Sequence, residues 1–175
     1  MPQTLIALGA LVLVMLFSMS QQRSSIQHSQ NMVSAELEVM ANASAKEMMQ
    51  LIGSKPFDAR IADGTIAVQA SDDATDLLTA PAQFGYNNSF DDCEDIDDFN
   101  RMAPDTLYFD VNGDVGFEFI VDVEVNYVNS EGEVSSTPTW IKEVTLTVNG
   151  LTPDSGLNYL KQPIVLKRQF SPQWN

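Results

Sequence analysis

The first side-chain charge in this chain is Arg23. Before it stands PQTLIALGALVLVMLFSMSQQ, in which Leu5 to Phe17 is a nearly unbroken run of Leu, Ile, Val, Ala, Met and Phe. After it, no proline or glycine occurs until Gly53. One helical pattern therefore runs from Pro2 to Ile52, wholly apolar in its first half and amphipathic in its second. A soluble core has no use for that combination. It suits a chain that first sits in a membrane and then packs beside copies of itself.

A helix needs about 20 mostly apolar residues to cross a bilayer core, and Pro2 to Gln22 just reaches that length. Pro2 fits the first turn of a helix, where its missing N–H would be unpaired anyway. Gly9 and Ala10 are small enough to let neighbouring helices approach closely. A secretory signal peptide would carry a basic segment before the apolar run and a small-residue cleavage site after it. This sequence shows neither, and Ser18-Met19-Ser20 is a poor substitute, so cleavage is not expected.

In the second half, Val33, Leu37, Met40, Ala41, Ser44, Met48, Leu51 and Ile52 recur at spacings of three and four, which is one stripe of a helix. Glu36, Glu38, Asn42, Lys46 and Glu47 lie largely off it. Gly53, expected as a left-handed cap, then Lys55 and Pro56 signal the end. At 1.5 Å per residue, Thr4 to Ile52 predicts a rod of about 75 Å. Val33, Leu37, Met40, Met48, Leu51 and Ile52 are the expected packing residues under a sheet. Leu5, Ile6, Leu8, Leu11, Val12, Leu13, Val14, Leu16 and Phe17 are the expected contacts between subunits.

The remaining length allows one modest globular domain. The division expected is a helix over 1–55, apolar over 1–22 and amphipathic over 23–55, followed by an acidic domain over 56–175. The formal net charge is −15, almost all of it after the helix. Nucleic acid is excluded as a partner, because phosphate binding needs clustered Lys and Arg. An anionic membrane surface would repel this domain, and an acidic exterior fits an extracellular face. Flanking charge encodes orientation poorly, Arg23 being the one basic residue close to the apolar run, so the translocation of the C-terminal domain is inferred from its acidic character. The single cysteine, Cys93, permits no intramolecular disulfide. Set among Asp92, Glu94 and Asp95, its thiol is expected to have a raised pKa and low reactivity.

Thr65 to Gln69 alternates and reads as a strand, and Ser71 to Asn88 reads as loop. After Arg101 the pattern becomes antiparallel β. Thr106 to Val111 leads through Asn112-Gly113, a strong hairpin signal, into Val115 to Val128. There Val121, Val123 and Val125 alternate with Asp122, Glu124 and Asn126. Asn129 to Glu133 is a second turn. Trp140 to Asn149 sets Val144, Leu146 and Val148 against Glu143, Thr145 and Thr147, and Gln162 to Phe170 is a last strand. One polar face means a sheet buried on one side, and the helix stripe is its natural cover. The fold class is thus α+β: a long N-terminal helix packed on a small antiparallel sheet.

This layout, over the whole chain, resembles that of type IV pilin and pseudopilin-like subunits. Locally, Met48 to Asp58 (MMQLIGSKPFD) and Asp95 to Asn100 (DIDDFN) are similar to stretches of pilin-like proteins, including minor pilins of the mannose-sensitive haemagglutinin type. The family's leader ends in glycine before an N-methylated aromatic residue, and its mature helix carries a glutamate at the fifth position. Here Met1 opens the sequence, Leu5 holds that position, and no glutamate precedes Glu36. A divergent subunit that inserts without leader processing, and without the glutamate–amine register contact, is expected. The resemblance implies a homo-oligomeric helical filament serving attachment, motility or cell–cell contact, membrane-inserted before assembly.

Phe90 to Asn100 (FDDCEDIDDFN) gathers Asp91, Asp92, Glu94, Asp95, Asp97 and Asp98. Hard cations want six to eight oxygen ligands, but this spacing matches no calcium loop, nor does Asp110 to Asp114. The expectation is a solvated acidic loop in which Asp98 or Asn100 caps local backbone, with Ca²⁺ over Asp91–Asp98 as the competing reading and no other cofactor. His28, in the polar join of the helix, has no Cys or Asp nearby and reads as solvated or interfacial. Asn42-Ala43-Ser44 and Asn87-Asn88-Ser89 match the glycosylation pattern by short chance-prone motifs. No phosphate loop, nucleophile elbow or zinc pattern occurs, and the adjacent Asp97 and Asp98 would face opposite ways on a strand, so an enzyme is not expected. The rival to the filament reading is a bitopic membrane protein presenting an acidic β-domain to a partner. Such an anchor would normally have basic flanks and a flexible linker, and this helix runs through without one.

Overall fold

In the computed structural model, which describes residues 2–64, 72–85, 92–101, 105–111, 115–150 and 160–172, the first element is helix α1, Pro2–Ser54, of 53 residues. Its continuity follows from composition: Leu, Ala, Met, Gln and Glu are strong helix formers, and its one proline stands at the start. A single turn of helix, α2 (Ala59–Ala62), follows. Short 3₁₀ turns lie at Asp72–Leu77, Pro81–Gln83 and Asp97–Phe99. Among the described residues four strands follow: β1 (Asp105–Val111), β2 (Val115–Tyr127), β3 (Lys142–Asn149) and β4 (Ile164–Phe170). They form one antiparallel sheet in the order β1-β2-β3-β4, every neighbour in space a neighbour in sequence. The α+β class, a long helix packed on an antiparallel sheet, is therefore present. The chain divides into two compact units, Met1–Val39 and Met40–Asn175.

The sheet registers follow the period-two pattern. Val111 pairs Val115 across the Asn112-Gly113 connection, Val123 pairs Leu146, and Leu146 pairs Leu166. Val121, Val123, Val125, Val144, Leu146 and Val148 are all buried, while Asp122 and Glu124 are exposed. At the second turn Asn129 N–H donates to Glu133 O at 2.9 Å and Gly132 takes a left-handed φ of 81°. β2 outruns β1, whose pairing stops at Val121. Beyond that point Val123 O accepts from Arg101 N–H at 2.9 Å, and Val125 N–H donates to Asn100 Oδ1 at 2.9 Å. The segment that carries Asp97 is thereby moored to the sheet, and Arg101 holds a left-handed φ of 52° at this hand-over. Asn100 thus caps a distant strand rather than its own loop. Thr65 to Gln69 lies outside the described residues.

The buried stripe of α1 consists of Leu37, Ala41, Ser44, Ala45, Met48, Met49 and Ile52. From Met40 on, this stripe covers the sheet's apolar face. Of the expected packing residues, Leu37, Met48 and Ile52 are buried and Met40 is half-buried, but Val33 and Leu51 are 50% and 44% exposed. Each residue turns the helix by about 100°, so burying Ile52 swings Leu51 outward. Ala41 and Ala45, both at 0% exposure, belong to the buried stripe instead. Gly53 is not a left-handed cap: it is helical and absent from the positive-φ glycines. A Cβ there would lie 2.7 Å from Cε1 of Phe170, so the close approach of β4 explains the glycine.

Candidate functional site

Two features stand out, one in each unit. In the first unit, Leu8, Leu11, Val12, Leu13, Val14, Met15, Leu16 and Phe17 are between 47% and 68% exposed. Leu11 to Phe17 is seven consecutive residues, about two turns, so the apolar surface encircles the helix and is not a stripe. The side chains of Leu5 and Ile6 lie outside the described residues. Among those described, no helix is long and apolar enough to cross a membrane. The membrane span expected over Pro2 to Gln22 is therefore not found among the described residues. His28 is exposed.

In the second unit a lysine is buried. Lys142 opens β3 in phase with Val144, Leu146 and Val148, and this inward register carries its side chain to 0% exposure. Its Nζ donates to Phe57 O at 2.5 Å. It lies 2.5 Å from Asp97 Oδ1 and 3.7 Å from Asp58 Oδ2. Three rings surround it, with centroids at 4.2 Å for Phe57, 5.4 Å for Phe84 and 5.2 Å for Tyr127. Phe84 and Tyr127 pack on each other at 4.9 Å, and Tyr127 Oη donates to Thr79 O at 2.9 Å. Ring faces attract a cation and exclude water.

The two aspartates differ. Asp58, fully buried, has a backbone donor on each oxygen: its Oδ1 accepts from Arg60 N–H at 3.0 Å and its Oδ2 from Thr79 N–H at 2.8 Å. Asp97 is nearly as buried, yet neither of its carboxyl oxygens has a hydrogen-bond partner among the described residues. Its one close polar partner among them is the Lys142 amine. Burial pushes the Asp97 carboxyl up to about 7, against the opposing pull of Lys142 and helped by the charges of Asp95 and Asp58. Burial, then the same three aspartates, also raises the Tyr127 hydroxyl.

The acidic loop is an organised connector. Asp98 Oδ2 accepts from Glu94 N–H at 2.8 Å and Asp95 N–H at 3.4 Å. Asp95 Oδ1 accepts from Asp97 and Asp98 N–H at 2.8 and 3.2 Å, and its Oδ2 from Ala59 N–H at 2.8 Å. Lys55 Nζ donates to Cys93 O at 2.5 Å, and Ile96 N–H to Pro56 O at 3.1 Å. Asp98 caps local backbone, but Asp95 and Asp97 are buried rather than solvated. The local pattern reads as solvated because what buries these residues, residues 55–59 and β3, is remote in sequence. Asp91 lies outside the described residues, and among the described ones no group of three or more His, Cys, Asp and Glu is arranged to hold a metal. Burial first, then the Asp98 charge, pushes the Cys93 thiol up to about 11, so desolvation outweighs the neighbouring anions named from the sequence. Asp97 sits in a 3₁₀ turn with Asp98, not on a strand. Asn42 is half-buried, and Asn87 lies outside the described residues.

Sequence reasoning missed Lys142. The signal was present: extending the alternation of Val148, Leu146 and Val144 by one step places Lys142 on the apolar face. What hid it was Glu143 beside it, which makes the pair look like a charged surface. The stretches ending at Asp58 and spanning Asp95 to Asn100 are the segments that meet at this lysine. No family model, curated protein or solved structure matches the chain.

Proposed function

We propose that this chain is a structural subunit of a pilus-like extracellular filament, assembled by packing the apolar part of α1 against the same part of other copies. The observation that carries the reading is the exposed apolar surface that encircles Leu8 to Phe17. Contiguous apolar surface on this scale marks an interaction site. Because it runs round the helix, one flat partner leaves most of it in water, and several like helices cover it all. Head-to-tail contacts that do not close on themselves give an open fibre. The acidic domain then faces water, where its charge keeps domains apart. Lipid contact over Pro2 to Gln22 before assembly belongs to the same proposal, as do attachment, motility or cell–cell contact as its outcome.

Negative-stain electron microscopy of sheared surface material, labelled with an antibody to the β-domain, tests this. Labelled fibres support it. Recovery of the protein only as a monomer from detergent-solubilised membranes overturns it in favour of the bitopic anchor, which the same exposed helix would also serve.

A further inference from the structure

The Lys142 site is costlier than a structural ion pair needs to be. A buried pair is tolerated when both ions are fully hydrogen-bonded, and its members here are unequal. Asp58 has its backbone donors, whereas no backbone N–H among the described residues reaches the Asp97 carboxyl, whose one close partner is the amine, at 2.5 Å. We propose that Lys142 and Asp97 join spontaneously in the folded protein as an intramolecular isopeptide bond, with Asp58 as the proton carrier. The proposal stands apart from the filament reading and would hold for a monomer.

The chemistry balances within the site. Moving one proton from Nζ to the Asp97 carboxyl turns the ion pair into a neutral amine and a neutral acid, and a desolvated site favours uncharged partners. The raised Asp97 carboxyl agrees with that state. Phe57 O accepts one N–H of the amine and orients it, leaving the nitrogen lone pair for attack on Cγ of Asp97. The C–N bond forms as the C=O pair moves onto oxygen. Asp58, 3.7 Å from Nζ, takes the proton shed by nitrogen and returns it to the departing hydroxyl. The C–O bond breaks, the carbonyl re-forms, and one water leaves. Nothing is oxidised or reduced, and no co-reactant is needed. Fixed proximity replaces activation, and the rings of Phe57, Phe84 and Tyr127 keep out the water that would reverse the step. The bond would tie the 3₁₀ turn at Asp97 to the first residue of β3, closing the chain around β1 and β2.

The test is the intact mass of the full chain, first folded and then measured under denaturing conditions. The expected mass is the sequence mass less one water, and proteolysis should yield a branched peptide containing both Asp97 and Lys142. Asp97→Asn keeps an electrophilic carbon and should lose one ammonia instead. Asp58→Asn should slow bond formation by roughly 100-fold or more, as removal of a general acid–base does, while Lys142→Met should retain its full mass. Wild-type protein that is folded, aged for days and still at full sequence mass overturns the proposal, whatever the variants do.

Discussion

Helix α1 treats the same residue types in two opposite ways. Leu11 to Phe17 shows its side chains to solvent all round, whereas Ala41, Ala45, Met48, Met49 and Ile52 turn theirs inward. The difference is one of arrangement. A stripe can be covered by one sheet, and the β-domain covers it. A full circumference cannot, so the first segment stays exposed in the single chain. Hydrophobicity alone therefore does not decide what is core; angular spread does.

Charge should separate the two regions most. From Pro2 to Gln22 there is no ionisable side chain, so pH leaves that surface unchanged. The domain holds Asp97, raised from 3.8 to about 7. Where Lys142 and Asp97 remain unjoined, as in freshly folded Asp58→Asn, in which the bond is expected to form slowly, the folded state retains a proton that the unfolded state has released. This contribution is complete below about pH 4 and is lost as pH rises through about 7. Asp95, also raised by burial, adds in the same sense, while Asp58 and Lys142 are the charged partners facing Asp97. Denaturant melts from pH 4 to 8 should show stability falling in Asp58→Asn and falling less in wild type, where an amide has replaced both titrating groups. Equal slopes would remove the distinction.

Core truncation comes next. Ile52→Ala should cost about 2–5 kcal/mol, the range for emptying a well-packed aliphatic site, and Leu13→Ala should leave the melt of the domain within about 0.5 kcal/mol, as for other exposed positions. If both prove equally mild, the stripe is not carrying the domain. Overfilling probes the same contact from the other side. Ala45, at 0% exposure, lies where the helix meets the sheet, so Ala45→Leu should cost about 1–3 kcal/mol. Ala10→Leu, at an exposed position, should cost nothing measurable in the same melt.

What the sequence made legible follows the same line. Local periodicity gave the helix, the four strands after Arg101 and the pairing of the first two, because side-chain alternation and helical stripes are short-range properties. The exposed ring of Leu8 to Phe17 was legible too, since charge-free runs need no partner to be recognised. The lysine site was not. Lys142, Asp58 and Asp97 come from three distant stretches, and a buried charge looks like a surface charge until its neighbours are known. The outward turn of Leu51 was equally hidden, because a stripe of threes and fours fixes the helix but not the angle it presents to the sheet.

The finest contrast lies between two glycines of one helix. A Cβ at Gly9 meets nothing within 4 Å, while one at Gly53 meets Phe170 Cε1 at 2.7 Å. Alanine is the better helix former by about 1 kcal/mol. Gly9→Ala should therefore firm the first segment by up to that amount, read as slower amide exchange over Leu8 to Leu13. At Gly53 the same gain is opposed by displacement of the Phe170 ring, so Gly53→Ala should lower the domain's melting temperature or leave it flat. The sign matters more than the size. If Gly53→Ala stabilises as much as Gly9→Ala, the ring yields freely and β4 does not hold the end of α1. If Gly9→Ala firms the helix yet thins or abolishes fibres, Gly9 is itself an intersubunit contact, kept small for the close approach of a second helix. That outcome would put both glycines of α1 under one rule, each marking where another element comes too near for a methyl group.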